Sequence, residues 1–284
     1  MFTHKPFTDK VVIITGASSG IGRATAMEFA KRGASVVLAA RSQDKLEQVA
    51  KEIEPLQVPV RVIPTDVASR EQVAAMAQAV EKAFGRIDIL INNAGGGAVG
   101  TVEDNQFADQ ARELLEVDFF GKVHCAQAVL PIMRRHGQGA IVNLSSVVGR
   151  KAFPKFGAYS SSMHAVSALS DTLRQELYGS GIQVTTVYPA LTRTAFFSGF
   201  ARDRMPAQFT YMKPLAPETV AKAIVKAVHK RSPRVILPWQ PPLMLLGDTF
   251  SARFGDWFVR MLDKGWFMRL IWMYGQGPRF QRED

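Results

Sequence analysis

The chain has 284 residues, of which 47% are hydrophobic and 21% are charged. This composition excludes a disordered polypeptide, and the length suits one α/β domain built around a single buried sheet. The net charge of +10 is compatible with nucleic acid or an anionic membrane, but no nucleic-acid recognition motif accompanies it, so we predict no nucleic-acid partner.

Apolar, β-branched runs alternate along the chain with amphipathic stretches. The runs predict strands over 11–15, 35–40, 58–63, 87–92, 140–145, 183–188 and 234–237. The stretches predict helices over 20–32, 43–54, 69–84, 107–135, 157–179 and 217–231. Asp66 and Ser69 are candidate caps for the third helix, and Pro217 opens the last. The alternation predicts an α/β protein with a doubly wound, seven-stranded parallel sheet and helices on both faces.

One domain is predicted, with residues 1–238 as its nucleotide-binding and catalytic part and 239–284 as a C-terminal amphipathic helical extension. Three prolines and several charges exclude a transmembrane helix of about twenty apolar residues from this tail. Two interpretations stay open. The one we favour is that the tail packs on the fold or on a second subunit; the other is that it lies on a membrane surface or covers a hydrophobic pocket. Apolar residues recur in it at three- and four-residue spacing: Trp257, Phe258, Met261, Leu262, Trp266, Leu270 and Met273.

A glycine-rich turn stands between the first strand and the first helix, where residues 15–22 read Thr-Gly-Ala-Ser-Ser-Gly-Ile-Gly. Gly16 allows the tight turn, Gly20 lets the backbone approach a pyrophosphate, and Gly22 permits close packing of helix on sheet. Backbone N–H groups at the helix N-terminus then face the anion. This strand–turn–helix context predicts a dinucleotide site.

The end of the second strand, Ala40-Arg41, indicates which dinucleotide binds. A cofactor with a free ribose 2′-hydroxyl usually meets an Asp or Glu about 20 residues after the glycines. No carboxylate stands at this strand end, and Arg41 is able to bind a 2′-phosphate through two hydrogen bonds. We therefore predict NADP(H) as the cofactor.

With this turn, the later motifs make the chain resemble the short-chain dehydrogenase/reductase family over about residues 9–237. The resemblance implies a three-layer Rossmann fold and transfer of hydride between a nicotinamide and a carbonyl/alcohol substrate. It implies that Ser146 holds the substrate oxygen and that Tyr159, 13 residues later, passes the proton. The motifs that carry it are TGASSGIG, Asp66-Val67, NNAG at 92–95, Ser146, Tyr159 and residues 189–194. The predicted cofactor-binding residues are Gly16, Ser18, Ser19, Gly20, Ile21, Gly22, Arg41, Asp66, Val67, Asn93, Ala94, Gly95, Met163, Pro189 and Thr194.

Two residues depart from the pattern of the family that the chain resembles. Met163 stands four residues after Tyr159, where the family has a lysine that binds the ribose and stabilises tyrosinate. Asp118, the third predicted catalytic residue, stands where the family has an asparagine that keeps a helix kinked and anchors a water. A thioether carries no charge, and a carboxylate near a tyrosine opposes its ionisation. Both changes therefore favour a protonated Tyr159.

A protonated tyrosine serves carbonyl reduction better than alcohol oxidation, so we expect reduction to be impaired less, within a total loss of about 10²- to 10⁴-fold. Three accounts of the departures stay open. The chain is a reductase with a weakened proton relay, a non-catalytic NADP(H)-binding protein, or a variant made inactive on purpose. Nearby residues offer no compelling substitute for the lysine: Lys151 and Lys155 precede Tyr159 in a loop, and His164 points about 100° further around the helix.

The substrate is expected to be hydrophobic, because aromatic residues are dense in 195–200 and recur at Met205, Phe209 and Tyr211. The resemblance also implies a homo-oligomer formed through the helices around 107–135 and 157–179. The single cysteine, Cys125, and the absence of an apolar leader in the first ten residues predict a cytoplasmic protein. A peripheral membrane position is retained as the alternative, and no metal site is predicted.

Overall fold

The computed structural model describes residues 5–194, 214–238 and 251–262. Seven strands and eight α-helices alternate through most of these residues. The strands are β1 Val11–Thr15, β2 Ser35–Ala40, β3 Val60–Pro64, β4 Ile89–Asn92, β5 Gly139–Leu144, β6 Ile182–Pro189 and β7 Arg234–Leu237. The helices are α1 Gly20–Lys31, α2 Gln43–Ile53, α3 Arg70–Phe84, α4 Phe107–Leu114, α5 Gly121–Arg135, α6 Gly157–Glu176, α7 Pro217–Lys230 and α8 Ala252–Leu262.

All seven strands form one parallel sheet in the order β3-β2-β1-β4-β5-β6-β7. The chain builds outward from β1 in one direction, then returns and builds outward from β4 in the other. The order of the strands therefore reverses between β1 and β4, and in such sheets a crevice opens beyond the carboxyl ends of those two strands. The predicted doubly wound α/β fold is confirmed.

The core lies on both faces of the sheet because successive side chains of a strand point to opposite faces. In β1, Val12 and Ile14 belong to one apolar cluster, while Val11 and Ile13 belong to the other. Ile13 and Ile14 are both completely buried. This arrangement explains why the strands are continuously hydrophobic and not alternating, since a sheet covered by helices on both faces leaves no side exposed to water.

The helix predicted over 107–135 is wrong as one continuous element. The α-helical backbone stops at Leu114, widens into a π-helical turn over Leu115–Phe120, and resumes at Gly121. A π-helical turn inserts an extra residue into the helix and redirects the side chains that follow it. Asp118 lies within this turn.

The ends of the other elements match the predictions to within one or two residues, except that α6 ends at Glu176, three residues before its predicted end. Ser69 caps α3, since its hydroxyl accepts a hydrogen bond from the backbone N–H of Gln72. Asp66 does not cap that helix; its carboxylate accepts from the N–H of Ala68 instead. Pro217 is the first residue of α7, as predicted.

The described part of the C-terminal tail packs on the body of the fold. Val259 of α8 is 5% exposed and joins an apolar cluster with Phe153 and Met163. Asp256 forms an ion pair with Lys151 at 3.1 Å. Within the described residues no helix is long and apolar enough to cross a membrane. Of the predicted amphipathic positions, Trp266, Leu270 and Met273 lie outside the described residues.

Asp88, just before β4, joins the starts of β1 and β4. Its carboxylate, 6% exposed, accepts hydrogen bonds from the N–H of Val11 and from the guanidinium of Arg86. Lys10 completes the set at 3.3 Å. Burial alone would raise the pKa of Asp88, but these donors outweigh it and hold the pKa below its usual value.

We expect Asp88→Asn to lower the free energy of unfolding by about 1.5–3 kcal/mol at pH 7, because two cations lose their buried anion. A lowered carboxyl pKa contributes stability above the unfolded pKa of about 4, and this contribution is lost as pH falls through the folded pKa. The difference in free energy of unfolding between the native chain and Asp88→Asn should therefore shrink below about pH 4. Urea unfolding measures this free energy. The control is Asp109→Asn, because the carboxylate of Asp109 is 78% exposed. Equal losses in the two variants would contradict this account.

Candidate active site

The crevice at the strand reversal is built on a buried threonine. Thr15, the last residue of β1, accepts hydrogen bonds at 3.0 Å from the backbone N–H groups of both Asn93 and Ala94. Its own hydroxyl donates to the carbonyl of Ile91. The amide of Asn93 in turn donates to the carbonyl of Thr15 at 2.9 Å. The carboxyl ends of β1 and β4 are thereby held together at the base of the crevice.

The glycine-rich turn is packed too closely to accept a side chain at two of its glycines. Gly16 has a φ of +64°, in the region that side chains rarely adopt, and a Cβ on it would lie 2.8 Å from the amide of Asn93. A Cβ on Gly22 would lie 2.2 Å from the carbonyl oxygen of Gly16. The turn is therefore closely packed beneath α1, and its outer side opens to the cleft. Such a surface at a helix N-terminus fits the pyrophosphate of a dinucleotide.

One cleft of about 550 Å³ collects the predicted residues. Among the predicted site residues, Gly22 and Asp118 do not line it: Gly22 packs beneath the turn, and Asp118 lies behind the wall. Those that line it are Gly16, Ser18, Ser19, Gly20, Ile21, Arg41, Asp66, Val67, Asn93, Ala94, Gly95, Ser146, Tyr159, Met163, Pro189 and Thr194.

Arg41 occupies the end of the cleft beyond β2. It is exposed, and Ser42 and Lys45 line the cleft beside it. Asp66 is the one acidic residue of the lining; it follows β3, which pairs with β2, and no carboxylate stands at the end of β2 itself. The arrangement gives this end two cationic side chains and a hydroxyl, which is the chemistry that binds a phosphate.

Ser146 and Tyr159 meet in the cleft at the opposite end from Arg41. Ser146, after β5, directs its hydroxyl toward the carbonyl of Pro189 at 3.4 Å. Tyr159 lies in the first turn of α6, partly buried, and its side chain is hydrogen-bonded to Ser146. Burial raises the pKa of Tyr159 and the charge of Asp118 raises it further, while the Ser146 hydrogen bond opposes both. The phenol is therefore protonated at neutral pH.

Met163 is buried one turn after Tyr159. It is 3% exposed and packs in an apolar cluster with Val148, Phe153 and Phe156. The ring of Phe156 meets the ring of Tyr159 edge to face at 6.2 Å. The position that would hold a cation in the resembled family is thus part of an apolar wall, which destabilises an isolated charge there.

Asp118 is completely buried behind the tyrosine. One carboxylate oxygen accepts the N–H of Gly96 at 2.8 Å, and the other accepts the hydroxyl of Ser162 at 2.7 Å. Burial raises its pKa, while the charge of Lys122 and these two hydrogen bonds oppose the rise. Asp118 thus links the loop after β4 to α6 through the π-helical turn.

Lys122 is a cleft residue that the sequence analysis does not single out. It follows Asp118 by four residues, lines the cleft, is 3% exposed, and donates a hydrogen bond to the carbonyl of Ala94 at 3.0 Å. An Asp and a Lys four residues apart within the predicted helix over 107–135 are a usable signal in the sequence. By contrast, Lys151 pairs with Asp256 and, like Lys155, does not line the cleft.

Comparison with known proteins identifies the family. A family model described as short chain dehydrogenase matches residues 10–204. The chain belongs to the short-chain dehydrogenase/reductase family, whose members are oxidoreductases that bind a nicotinamide cofactor.

Relatives and solved structures agree with this membership. An uncharacterised oxidoreductase of Staphylococcus aureus is 35% identical over 222 residues, covering 78% of this chain and 91% of that protein. The dehydrogenase/reductase SDR family protein 7-like of Drosophila melanogaster is 35% identical, with coverages of 80% and 72%. A family member from Burkholderia phymatum in complex with NAD superposes with a TM-score of 0.80 at 29% identity, covering 87% of this chain and 95% of that one.

We expect Gly22→Ala to abolish binding of a nicotinamide dinucleotide, because the added Cβ would lie 2.2 Å from the Gly16 carbonyl and displace the turn. Isothermal titration calorimetry measures the binding. The control is Gly85→Ala at the end of α3, where φ is +71° and no atom lies within 4 Å of the added Cβ. That variant should lose about 1–2 kcal/mol of stability from backbone strain and bind normally. Normal binding by Gly22→Ala would contradict the assignment of the turn.

Proposed function

We propose that the protein is an NADP(H)-dependent oxidoreductase that reduces a hydrophobic ketone or aldehyde, with Tyr159 as proton donor and Ser146 as the group that holds the substrate oxygen. The observation that carries the proposal is the hydrogen bond between Ser146 and Tyr159 in the cleft that the glycine-rich turn opens into. The bound nicotinamide supplies or accepts the hydride. The chain's own residues orient the substrate and supply the proton.

The preference for reduction follows from the state of Tyr159. Reduction needs a protonated donor and alcohol oxidation needs tyrosinate. Burial and the Asp118 charge raise the tyrosine pKa, so both favour the donor form. Positioned acid catalysis contributes about 10²- to 10⁴-fold to a rate. A raised pKa weakens the tyrosine as an acid, but it leaves the donor protonated when reduction begins, so reduction is impaired less than oxidation.

The preference for NADP(H) rests on Arg41. The Burkholderia phymatum family member forms a complex with NAD, so the choice between the two dinucleotides depends on the ribose end of the cleft in this chain. Here Arg41, Ser42 and Lys45 line that end. A guanidinium and an ammonium there favour a 2′-phosphate over a 2′-hydroxyl.

The apolar end of the cleft supports a hydrophobic substrate. Val147, Val148, Phe156 and Leu191 line it near Tyr159. The aromatic residues of segment 195–200, with Met205, Phe209 and Tyr211, lie outside the described residues. Small polar aldehydes that outcompete hydrophobic ketones in a rate assay would contradict this substrate class.

Self-association and location are also part of the proposal. We propose a cytoplasmic homo-oligomer that associates through α4, α5 and α6, and exposed Phe120 (42%) beside α5 supports this surface. A monomer in sedimentation equilibrium would contradict the assembly.

Phe254 and Trp257 on α8, exposed and stacked at 5.7 Å, favour a peripheral membrane contact as the alternative. Liposome co-sedimentation that is unchanged by Phe254→Ser with Trp257→Ser would contradict that alternative.

A second candidate function is non-catalytic binding of NADP(H), which the buried Met163 and Asp118 favour. The two candidates differ in one assay, in which NADPH oxidation is followed with a panel of hydrophobic ketones and aldehydes. Turnover by the native chain supports the enzyme. Tight NADPH binding without turnover of any carbonyl supports the binding protein.

For the cofactor, we expect Arg41→Ala to weaken NADPH binding by about 10- to 100-fold, the value of a lost charge-assisted hydrogen bond. Binding of NADH should stay unchanged, because it carries no 2′-phosphate. Fluorescence titration of both dinucleotides measures this. Arg112→Ala on α4, whose side chain is 75% exposed, is the control. Equal weakening of both dinucleotides would contradict the role of Arg41.

For the chemistry, we expect the rate of carbonyl reduction to stay level from about pH 6 to 9, because a raised tyrosine pKa keeps the donor protonated across this range. The rate of alcohol oxidation should rise with pH throughout the same range. Tyr159→Phe should lower the reduction rate by about 10²- to 10⁴-fold, whereas Tyr178→Phe, at a 93% exposed residue, should not change it. A reduction rate that falls between pH 7 and 8 would contradict the assignment.

A further inference from the structure

Lys122 is a buried lysine in the wall of the cleft, whereas most lysines are exposed to water. Its side chain is 3% exposed, and its ammonium donates to the Ala94 carbonyl at 3.0 Å. The N–H of the same Ala94 is fixed by the hydroxyl of Thr15. Removing an ammonium from water is strongly unfavourable unless an opposite charge and hydrogen bonds compensate it. A buried anion near Lys122 is therefore expected to compensate its charge.

That anion is Asp118, one turn earlier in the chain and completely buried. Burial lowers the pKa of Lys122, and the charge of Asp118 opposes this most strongly. Burial raises the pKa of Asp118, and the charge of Lys122 is the strongest opposing cause. The charge of each group thus opposes the shift that burial imposes on the other, although their charged atoms form no ion pair within 4.0 Å.

Of the other titratable groups around this pair, two are buried, two face water, and His124 is half-buried with its ring hydrogen-bonded to the carbonyl of Val67. Tyr159 from α6 and Cys125 from α5 both have a pKa raised by burial, that of Cys125 to about 12. Glu116 and His164, near the pair in sequence, are exposed. Met163 adds no charge. Asp118 and Lys122 are therefore the two groups of opposite charge that are buried at this part of the cleft.

We propose that Lys122 is the positioning cation of this site: it fixes the Ala94 carbonyl at the base of the cleft and neutralises Asp118, so that the cleft binds its dinucleotide without a lysine at position 163. The proposal rests on the proposed dinucleotide site but not on turnover. The proposal couples positions 118, 122 and 163 through their buried charges. A neutral residue at position 118 would leave Lys122 as a buried cation without a counter-charge, and a lysine at position 163 would then add a second such cation.

The experiment measures NADP⁺ binding by calorimetry from about pH 6.5 to 9 for the native chain, Lys122→Met, Lys122→Arg, Asp118→Asn and the double variant Asp118→Asn with Lys122→Met. Lys222→Met, at an exposed residue on α7, is the matched control. Each Kd is divided by that of the native chain at the same pH, so that titration of the nucleotide's own phosphate cancels. Because no substrate is present, an absence of turnover does not affect the result.

We expect Lys122→Met to weaken binding by about tenfold at pH 9 and far less at pH 6.5, because a buried carboxyl without its cation can titrate as high as about pH 8–9. Protonation at the lower pH removes the uncompensated charge. The double variant, which has neither charge, should bind within about threefold of the native chain at every pH. Lys122→Arg should retain the charge and most of the affinity.

The double variant also covers a failure of Lys122→Met to fold. If only the single variant fails to fold, the pairing is supported, since removing the second charge restores the protein. A loss that is independent of pH, or a double variant as impaired as the single one, would overturn the proposal. Native affinity of Lys122→Met at pH 9 would overturn it as well.

Discussion

The hydroxyl of Thr15 connects the two halves of the sheet by hydrogen bonds at the strand reversal, where the crevice opens between β1 and β4. Where the connections that follow two neighbouring parallel strands run in opposite directions, a crevice opens beyond the strand ends. The shape of this crevice is fixed only if the two strand ends are fixed relative to each other. Thr15 accepts from two consecutive N–H groups after β4 and donates to the strand itself. At 1% exposure, these hydrogen bonds do not compete with water.

The electrostatics of the site depend on the same segment. Ala94 is held through its N–H by Thr15 and through its carbonyl by Lys122. Two residues further on, the N–H of Gly96 donates to Asp118. The loop after β4 is thus fixed between a threonine on β1 and the buried Asp118 and Lys122 at the start of α5. Asp118 extends this network to α6 through Ser162, so the helix that carries Tyr159 is linked to the base of the cleft.

Most of the fold could be predicted because its signals are local. A continuously apolar strand such as β1 and a glycine turn followed by a helix are visible within a few residues of sequence. The resemblance to the family implies Ser146 and Tyr159 as site residues, and both line the cleft. The interruption of the helix at Leu115–Phe120 could not be predicted in this way, because a π-helical turn changes the helical repeat by one residue while the apolar pattern continues.

Lys122 was missed for a different reason. A lysine is buried only where its ammonium finds a hydrogen-bond acceptor. The acceptor of Lys122 is the Ala94 carbonyl, 28 residues earlier in the chain, so the local sequence does not reveal it. The lysines near Tyr159 in sequence do not supply a cation, since Lys151 pairs with Asp256, 105 residues away. The four-residue spacing of Asp118 and Lys122 is the local signal in the sequence.

The central claim is that this chain transfers hydride although position 163 carries a methionine. The most direct measurement uses NADPH with deuterium at both C4 positions of the nicotinamide, the native chain and a hydrophobic ketone, with the alcohol product analysed by mass spectrometry. The account predicts that one deuterium appears on the carbinol carbon of the product. NADPH that binds but yields no deuterated alcohol from any ketone or aldehyde offered would contradict it, and would leave a protein that binds the dinucleotide without using it.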